Sequence, residues 1–178
     1  DRVTEAVAKL NFALAPDDLV LMVQGDEILV NSEMLEQMVA VFEKTKAPAI
    51  NLISRLYQTA DFNDPNTVKV ATDINGRALY MSRSCIPSQI RNKDEAVVYQ
   101  QTGIIAFQRQ FLTEFSSLKP TLCERAESVD MMRVIENGLS LQTVKTEIET
   151  IGIDTEADLK RAESVLLKDR FTRQYLNL

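Results

Sequence analysis

Histidine is absent from this chain, and its two cysteines, Cys85 and Cys123, have no C-x-x-C partner. A zinc site of the usual nitrogen and sulfur ligands is therefore nearly excluded. So is every nucleophile that relies on an imidazole base, which leaves carboxylates, Arg or Lys, or a metal to carry any chemistry. No apolar run approaches the length of a membrane span, and free thiols suit a reducing cytoplasm, the expected location. Cationic excess is missing too: the net charge is −6, from dispersed Asp and Glu. That argues against tracking nucleic-acid phosphates or an anionic membrane surface, so an anionic ligand has to be held locally by a few placed cations or a metal. What is present in quantity is apolar residue, 45% of 178, enough for one substantial core and little for two, so a single domain spanning 1–178 is expected.

The apolar spacing alternates between helix and strand periods. A helix from Arg2 to about Leu10 leads to a strand over Leu19–Gln24, and "NSEMLEQMVAVFEKTK" follows with Asn31 or Ser32 as N-cap and an apolar face of Met34, Leu35, Met38, Val39, Val41 and Phe42. "APAINLISRL" is a second buried strand. This α-β-α-β order predicts a mixed, mostly parallel sheet with helices on both faces. The segments "NTVKVATD" and "RALYMSR" read as an antiparallel hairpin, with Asn75-Gly76 as a type I′ turn signal. "VVYQQTGIIAFQ" is a further long strand. "RQFLTEFSSL" and "TLCERAESVDMMRVIENG" are expected as two helices, the second closed by Asn137-Gly138, with Met131 and Met132 in the core rather than on a partner surface. "LQTVKTEIETIGI" is a strand or strand pair, and Thr155 caps a last helix with Asp158 three residues on.

Two segments carry the functional signal. The buried strand from Leu19 stops at Gln24-Gly25-Asp26-Glu27, and "ETIGIDTEADL" repeats the form with Gly152 and then Asp154 at a helix entry. Ligands of open α/β sheets sit beyond strand ends, where an acid can hold a divalent cation. Each acid has a plainer reading as a turn or helix cap facing water. Two carboxylates meeting from separate strand ends would suit Mg²⁺, which prefers oxygen ligands and shares them with phosphates.

Taken in order, "DRVTEAV", "VQGDE", "YMSRSCIP", "YQQTGIIAF", "ERAESVDMMRVIENG" and "IGIDTEADLKRA" resemble the 3-deoxy-manno-octulosonate cytidylyltransferase family over nearly the whole chain. The resemblance implies a Rossmann-like sugar nucleotidyltransferase fold, working as a homodimer. It also implies transfer of CMP from CTP to a 3-deoxy-octulosonic acid type sugar with release of pyrophosphate, for the lipopolysaccharide inner core. Asp26 and Asp154 would then be the catalytic Mg²⁺ ligands. Gln24 would hydrogen-bond the sugar, Arg83 would meet a sugar oxygen or carboxylate, and Tyr99, Gln101 and Asp130 would fall in the sugar-contacting region. The hairpin region 66–87 is the expected subunit contact.

The departures from the family pattern are specific. Its usual "Y-R-H-x-G" is Tyr99-Gln100-Gln101-Thr102-Gly103 here, two neutral amides in place of a basic pair, its "E-Q-L-R" is Asp130-Met131-Met132-Arg133, and Ile28 replaces a proline. This raises the expectation of the same chemistry on a modified acceptor, such as an amino-octulosonate or another 2-keto-3-deoxy acid. The family's N-terminal strand and glycine-rich phosphate loop have no counterpart among the five scattered glycines, and Asp1-Arg2 match a segment well inside the family sequence. The chain is thus expected to be a portion of a longer protein that would not bind CTP normally by itself. A non-catalytic transferase-like dimer module, or transfer of another nucleotide such as UTP, are the competing expectations.

Overall fold

The computed structural model describes residues 2–91, 97–148, 150–153 and 155–176. In chain order the elements are α1 (Arg2–Ala8), β1 (Leu19–Val23), β2 (Glu27–Ile28), α2 (Ser32–Thr45), β3 (Ala49–Arg55), α3 (Thr59–Asn63), β4 (Lys69–Thr72) and β5 (Ala78–Ser82). There follow β6 (Tyr99–Gln108), α4 (Arg109–Ser117), α5 (Leu122–Glu127), α6 (Met132–Glu136), β7 (Leu141–Thr146), β8 (Ile151–Gly152), α7 (Glu156–Leu166) and α8 (Arg170–Leu176).

Strand β3 is buried at nearly every position because both of its faces are covered. Alternate residues go to opposite sides of the sheet. Ile50 and Leu52, with Ile104 and Ala106 of β6, meet the α2 side chains Met34, Met38 and Phe42. On the other face Ala49, Ile105 and Phe107 meet Phe111, Leu112 and Phe115 of α4 and Met132 and Val134 of α6, with Val3 and Val7 of α1 packed alongside. Each buried Met or Phe of α2 contributes roughly 2 kcal/mol by leaving water. Helix α2 starts where Asn31 Oδ1 accepts the Met34 N–H at 3.0 Å, and it ends at Lys46, whose φ of 48° closes it in the left-handed conformation.

The six-stranded sheet runs β5-β4-β6-β3-β7, with β1 also paired to β6. It is mixed and has helices on both faces, as expected. Its pairing differs from a mostly parallel one in an informative way. β1, β3, β4 and β7 all point one way, but β6 runs against them in the middle, so that among the described residues only β3 and β7 form a parallel pair within it. A second, two-residue ladder joins β2 to β8.

Two local expectations are corrected. The β4–β5 hairpin turns through Asp73–Arg77, with a positive φ of 77° at Gly76 but not at Asn75, so the turn is not type I′. Asp73 Oδ1 accepts the N–H groups of Asn75 and Arg77, and the Arg77 carbonyl accepts from Asp73, which makes a three-residue loop ending in a left-handed glycine. The single helix expected over 121–138 is two, α5 and α6. Ser128, at φ 52°, ends α5, and the chain turns through 129–131 before α6 begins. Met131 and Met132 are buried in the core, as expected.

Candidate active site

Strands β1 and β4 both pair with one edge of β6, one beyond the other. β1 finishes at Val23 opposite Ile104, where Gln24 N–H donates to the Gly103 carbonyl at 3.2 Å. β4 begins at Lys69 opposite Gln100, after Gln101 N–H has donated to the Val68 carbonyl at 2.8 Å. Between these two strand ends the sheet edge is interrupted at Thr102-Gly103. On the other edge of β6 the register with β3 shifts between Asn51 and Ile53, so that Thr102, Gly103 and Ile104 bulge against Leu52 alone. Asn51, fully buried, fills the bulge: its Nδ2 lies 3.0 to 3.1 Å from the carbonyls of Leu52, Thr102 and Ile104. Thr102 Oγ1 donates back to the Leu52 carbonyl at 2.8 Å. A bulge of this kind re-aims side chains at the end of a strand.

A cavity of about 1080 Å³ opens at this interruption. It gathers Gln24, Arg83, Gln101 and Asp130, four of the residues singled out from the sequence, from four separate segments. Gln24 lies across Gly103, where a side chain would collide with it. Asp130 lies on the cavity wall in the α5–α6 turn that the periodicity concealed, and partial desolvation there pushes its carboxyl above its ordinary value. Tyr99 does not belong to this lining. Its ring lies under Lys145 Nζ, 5.0 Å away, beside the Arg55–Glu147 ion pair.

Arg83 is also placed differently from a free sugar-binding fork. Its Nε donates to the Glu127 carbonyl at 2.7 Å, Nη1 to Pro65 at 2.8 Å and Nη2 to Ser128 at 3.3 Å. It is a clamp between the hairpin and the α5–α6 turn, and it lines the cavity. Burial alone would raise the Glu127 carboxyl, but the Arg83 N–H and the hydroxyls of Ser82 and Tyr80 together hold it below its usual value. Lys69, wholly buried, secures the same wall. Its ammonium donates to the carbonyls of Asp64, Thr67 and Arg83 at 2.6 to 2.8 Å, and burial lowers its affinity for the proton.

Of the two acids after β1, Glu27 turns inward and its Oε1 accepts the Gly103 N–H, whereas Asp26 is exposed. The Asp26 carbonyl accepts the Ile153 N–H at 3.1 Å, and β2 and β8 continue that contact through Glu27 with Gly152 and Ile28 with Ile151. Thr150, Ile151 and Gly152 line the cavity on this side. Asp154 lies outside the described residues. Thr155 caps α7 as expected, with its hydroxyl accepting the Asp158 N–H and the Asp158 carboxylate accepting the Thr155 N–H. Among the described residues no three His, Cys, Asp or Glu side chains form a metal cluster.

Asn51, Lys69 and Glu27 shape the site without having been singled out as site residues. An asparagine inside the apolar run "AINLIS" was the available signal, since a buried amide requires polar partners. Lys69 in "TVKVAT" was a similar one.

A mixed α/β sheet with helices on both faces and a large polar cavity at an interrupted edge defines a domain of the nucleotidyltransferase fold class. The model of the family described as cytidylyltransferase matches residues 1–151. A 3-deoxy-manno-octulosonate cytidylyltransferase of Geotalea daltonii is 35% identical over 96% of this chain and 69% of its own length. The enzyme of that description from Flavobacterium johnsoniae is 41% identical over 93% of this chain and 67% of its own. A solved structure described as CMP:2-keto-3-deoxy-manno-octonic acid synthetase complexed with CTP superimposes with a TM-score of 0.81 at 28% identity, covering 94% of this chain and 67% of that one. The chain belongs to the cytidylyltransferase family, among the 3-deoxy-manno-octulosonate cytidylyltransferases.

Proposed function

We propose that this protein transfers CMP from CTP to a 3-deoxy-octulosonic acid type sugar, releasing pyrophosphate, in lipopolysaccharide biosynthesis. The observation that carries the reading is the cavity itself. Four separated segments deliver Gln24, Arg83, Gln101 and Asp130 to it, beside the ladder that binds the Asp26 backbone to Ile153. Its volume, about 1080 Å³, is at the upper end for small-molecule sites and suits two reactants held together.

The donors available for a cation at this point are oxygens only, which fits a hard ion such as Mg²⁺, with Asp26 and Asp154 as the residues that would hold it. Bound there, Mg²⁺ would offset the charge of the triphosphate and lower the pKa of the attacking hydroxyl. The chain's own residues would position the acceptor: Gln24 by hydrogen bonding, Arg83 through the donors that its three backbone contacts leave over, and Gly103 by admitting Gln24 so closely. Holding the two reactants in one geometry is where most of the acceleration would arise. The same reading includes a cytoplasmic homodimer, with the β4–β5 hairpin, whose Ile74 and Leu79 are exposed, at the subunit contact. Among the described residues no helix is long and apolar enough to cross a membrane.

The test is pyrophosphate release and CMP-sugar formation by the full-length protein with CTP, Mg²⁺ and 3-deoxy-manno-octulosonate or a related 2-keto-3-deoxy acid. Turnover with CTP is expected, and Asp26→Asn and Asp154→Asn should each lower kcat by about 100-fold or more while the protein stays folded. Absence of product with every such acid, or unaltered turnover in both variants, would defeat the proposal.

A further inference from the structure

We infer that Asn51 is a positioning residue for the sugar acceptor: from behind the cavity wall it holds Gln101 in one orientation, so that this side chain is set before the ligand arrives. This rests on the sugar-activating function proposed above.

Asn51 is fully buried and reaches the cavity only through a neighbour. Its Nδ2 lies 3.0, 3.0 and 3.1 Å from the carbonyl oxygens of Leu52, Thr102 and Ile104. None of these can donate, so the nitrogen of Asn51 has to face them and its oxygen has to face the other way. A buried amide oxygen without a donor is costly, and the donor here is Gln101 Nε2, 3.0 Å from Asn51 Oδ1. Turning the Gln101 amide over would set two carbonyl oxygens against each other. The main-chain bulge thus fixes Asn51, and Asn51 fixes Gln101, which lines the cavity. Gln100, on the opposite face of β6, is held separately, by Ser54 Oγ at 2.9 Å and the Thr150 carbonyl at 3.0 Å.

The bulge needs only the nitrogen of Asn51. The oxygen serves Gln101, and that gives Asn51 a part in the reaction beyond shaping the sheet. A free glutamine side chain samples many rotamers, and a ligand that has to immobilise one binds more weakly, by up to about tenfold. With Gln101 already held, that loss is avoided. Gln101 stands with the sugar-facing residues, so the effect falls on the KM of the acceptor and not on that of CTP.

The experiment uses the full-length protein with CTP, Mg²⁺ and 3-deoxy-manno-octulosonate, or the related 2-keto-3-deoxy acid that it turns over best. Asn51→Leu and Gln101→Leu are each expected to raise the KM of the acid about tenfold, with the KM of CTP unchanged. Because Asn51 acts through Gln101, the double variant should stay within about threefold of the worse single one, where independent losses would multiply to about a hundredfold. Melting temperatures measured alongside separate this from a merely weakened bulge, which would lower stability and leave the KM of the acid as it was. In the wild type, NMR should show the side-chain amide hydrogens of Gln101 exchanging with solvent far more slowly than those of the exposed Gln174. That measurement decides should Asn51→Leu not fold. Losses that multiply, an unchanged KM for the acid in folded Asn51→Leu, or a Gln101 amide exchanging as fast as that of Gln174 each overturn this inference and leave cytidylyl transfer standing. Failure of every acid to accept CMP defeats both proposals.

Discussion

Gln24 lies so close over Gly103 that a carbon at the Cβ position of residue 103 would stand 2.3 Å from Gln24 Oε1 and 2.7 Å from its Cδ. The relation comes from the strands themselves. The Gln24 N–H donates to the Gly103 carbonyl as the last bond of β1 to β6, and Gly103 lies within the bulge at 102–104. Glycine serves here by close approach, since its φ is not in the left-handed region.

Gly103→Ala is accordingly expected to fold, with a melting temperature within a few degrees of wild type, but to displace Gln24 from its position. The KM for the sugar acceptor should rise about tenfold, the loss of one or two hydrogen bonds, while the KM for CTP stays unchanged. Steady-state kinetics with each substrate varied in turn checks this. An unchanged acceptor KM would remove Gln24 from the sugar contact.

Lys69 is a buried cation whose partners are the three carbonyls of Asp64, Thr67 and Arg83. In Lys69→Met a side chain of similar bulk fills the space but leaves those carbonyls without a donor, at a cost of about 3 kcal/mol in stability. Because Arg83 O is one of the three, the clamp on the α5–α6 turn loosens too, and activity should fall by more than the folded fraction does. Urea unfolding alongside kinetics separates the two effects. A loss below about 1 kcal/mol would mean that water replaces the ammonium without strain.

Acid stability should have a component from Glu136. The Thr121 hydroxyl, together with the N–H groups of Cys123 and Glu124 at the start of α5, holds the Glu136 carboxyl down from 4.5 to about 2, against the opposing effect of burial. With the folded value depressed, the stabilisation is present above pH 4.5 and is lost as pH falls from there toward about 2. Glu136→Gln should weaken the fold at neutral pH and flatten the decline in urea midpoint across that window. Parallel curves for the two proteins would remove Glu136 from the acid transition.

Much of the scaffold was legible because it rests on local signals. Asn31 before an amphipathic run announced α2, the apolar run 49–53 announced a strand covered on both faces, and Thr155 with Asp158 announced α7. The direction of β6 was not legible, since periodicity shows that a residue is in a strand but not which way the strand runs. The α5–α6 turn was hidden for a related reason: the apolar spacing continues through 129–134, and only the left-handed Ser128, a residue type without a strong signal for that conformation, interrupts it. Strands of two residues, such as β2 and β8, have no period to read. At the site, motif order brought out Gln24, Arg83, Gln101 and Asp130, all of which reach the cavity. It did not separate Tyr99, which the strand delivers to the Lys145 and Glu147 cluster, nor did it show that the Arg83 fork is largely engaged with backbone carbonyls.

The ladder of β2 and β8 fastens segments from opposite ends of the chain with only two residue pairs. It stands apart from the broad sheet, so its amides are expected to exchange with solvent on a much shorter clock than those of β3, which is flanked on both sides. Mild denaturant or a protease would then undo this fastening beside the cavity first and leave the scaffold standing. In this molecule, inactivation would precede unfolding, and a circular dichroism spectrum would still look native after the enzyme had stopped working.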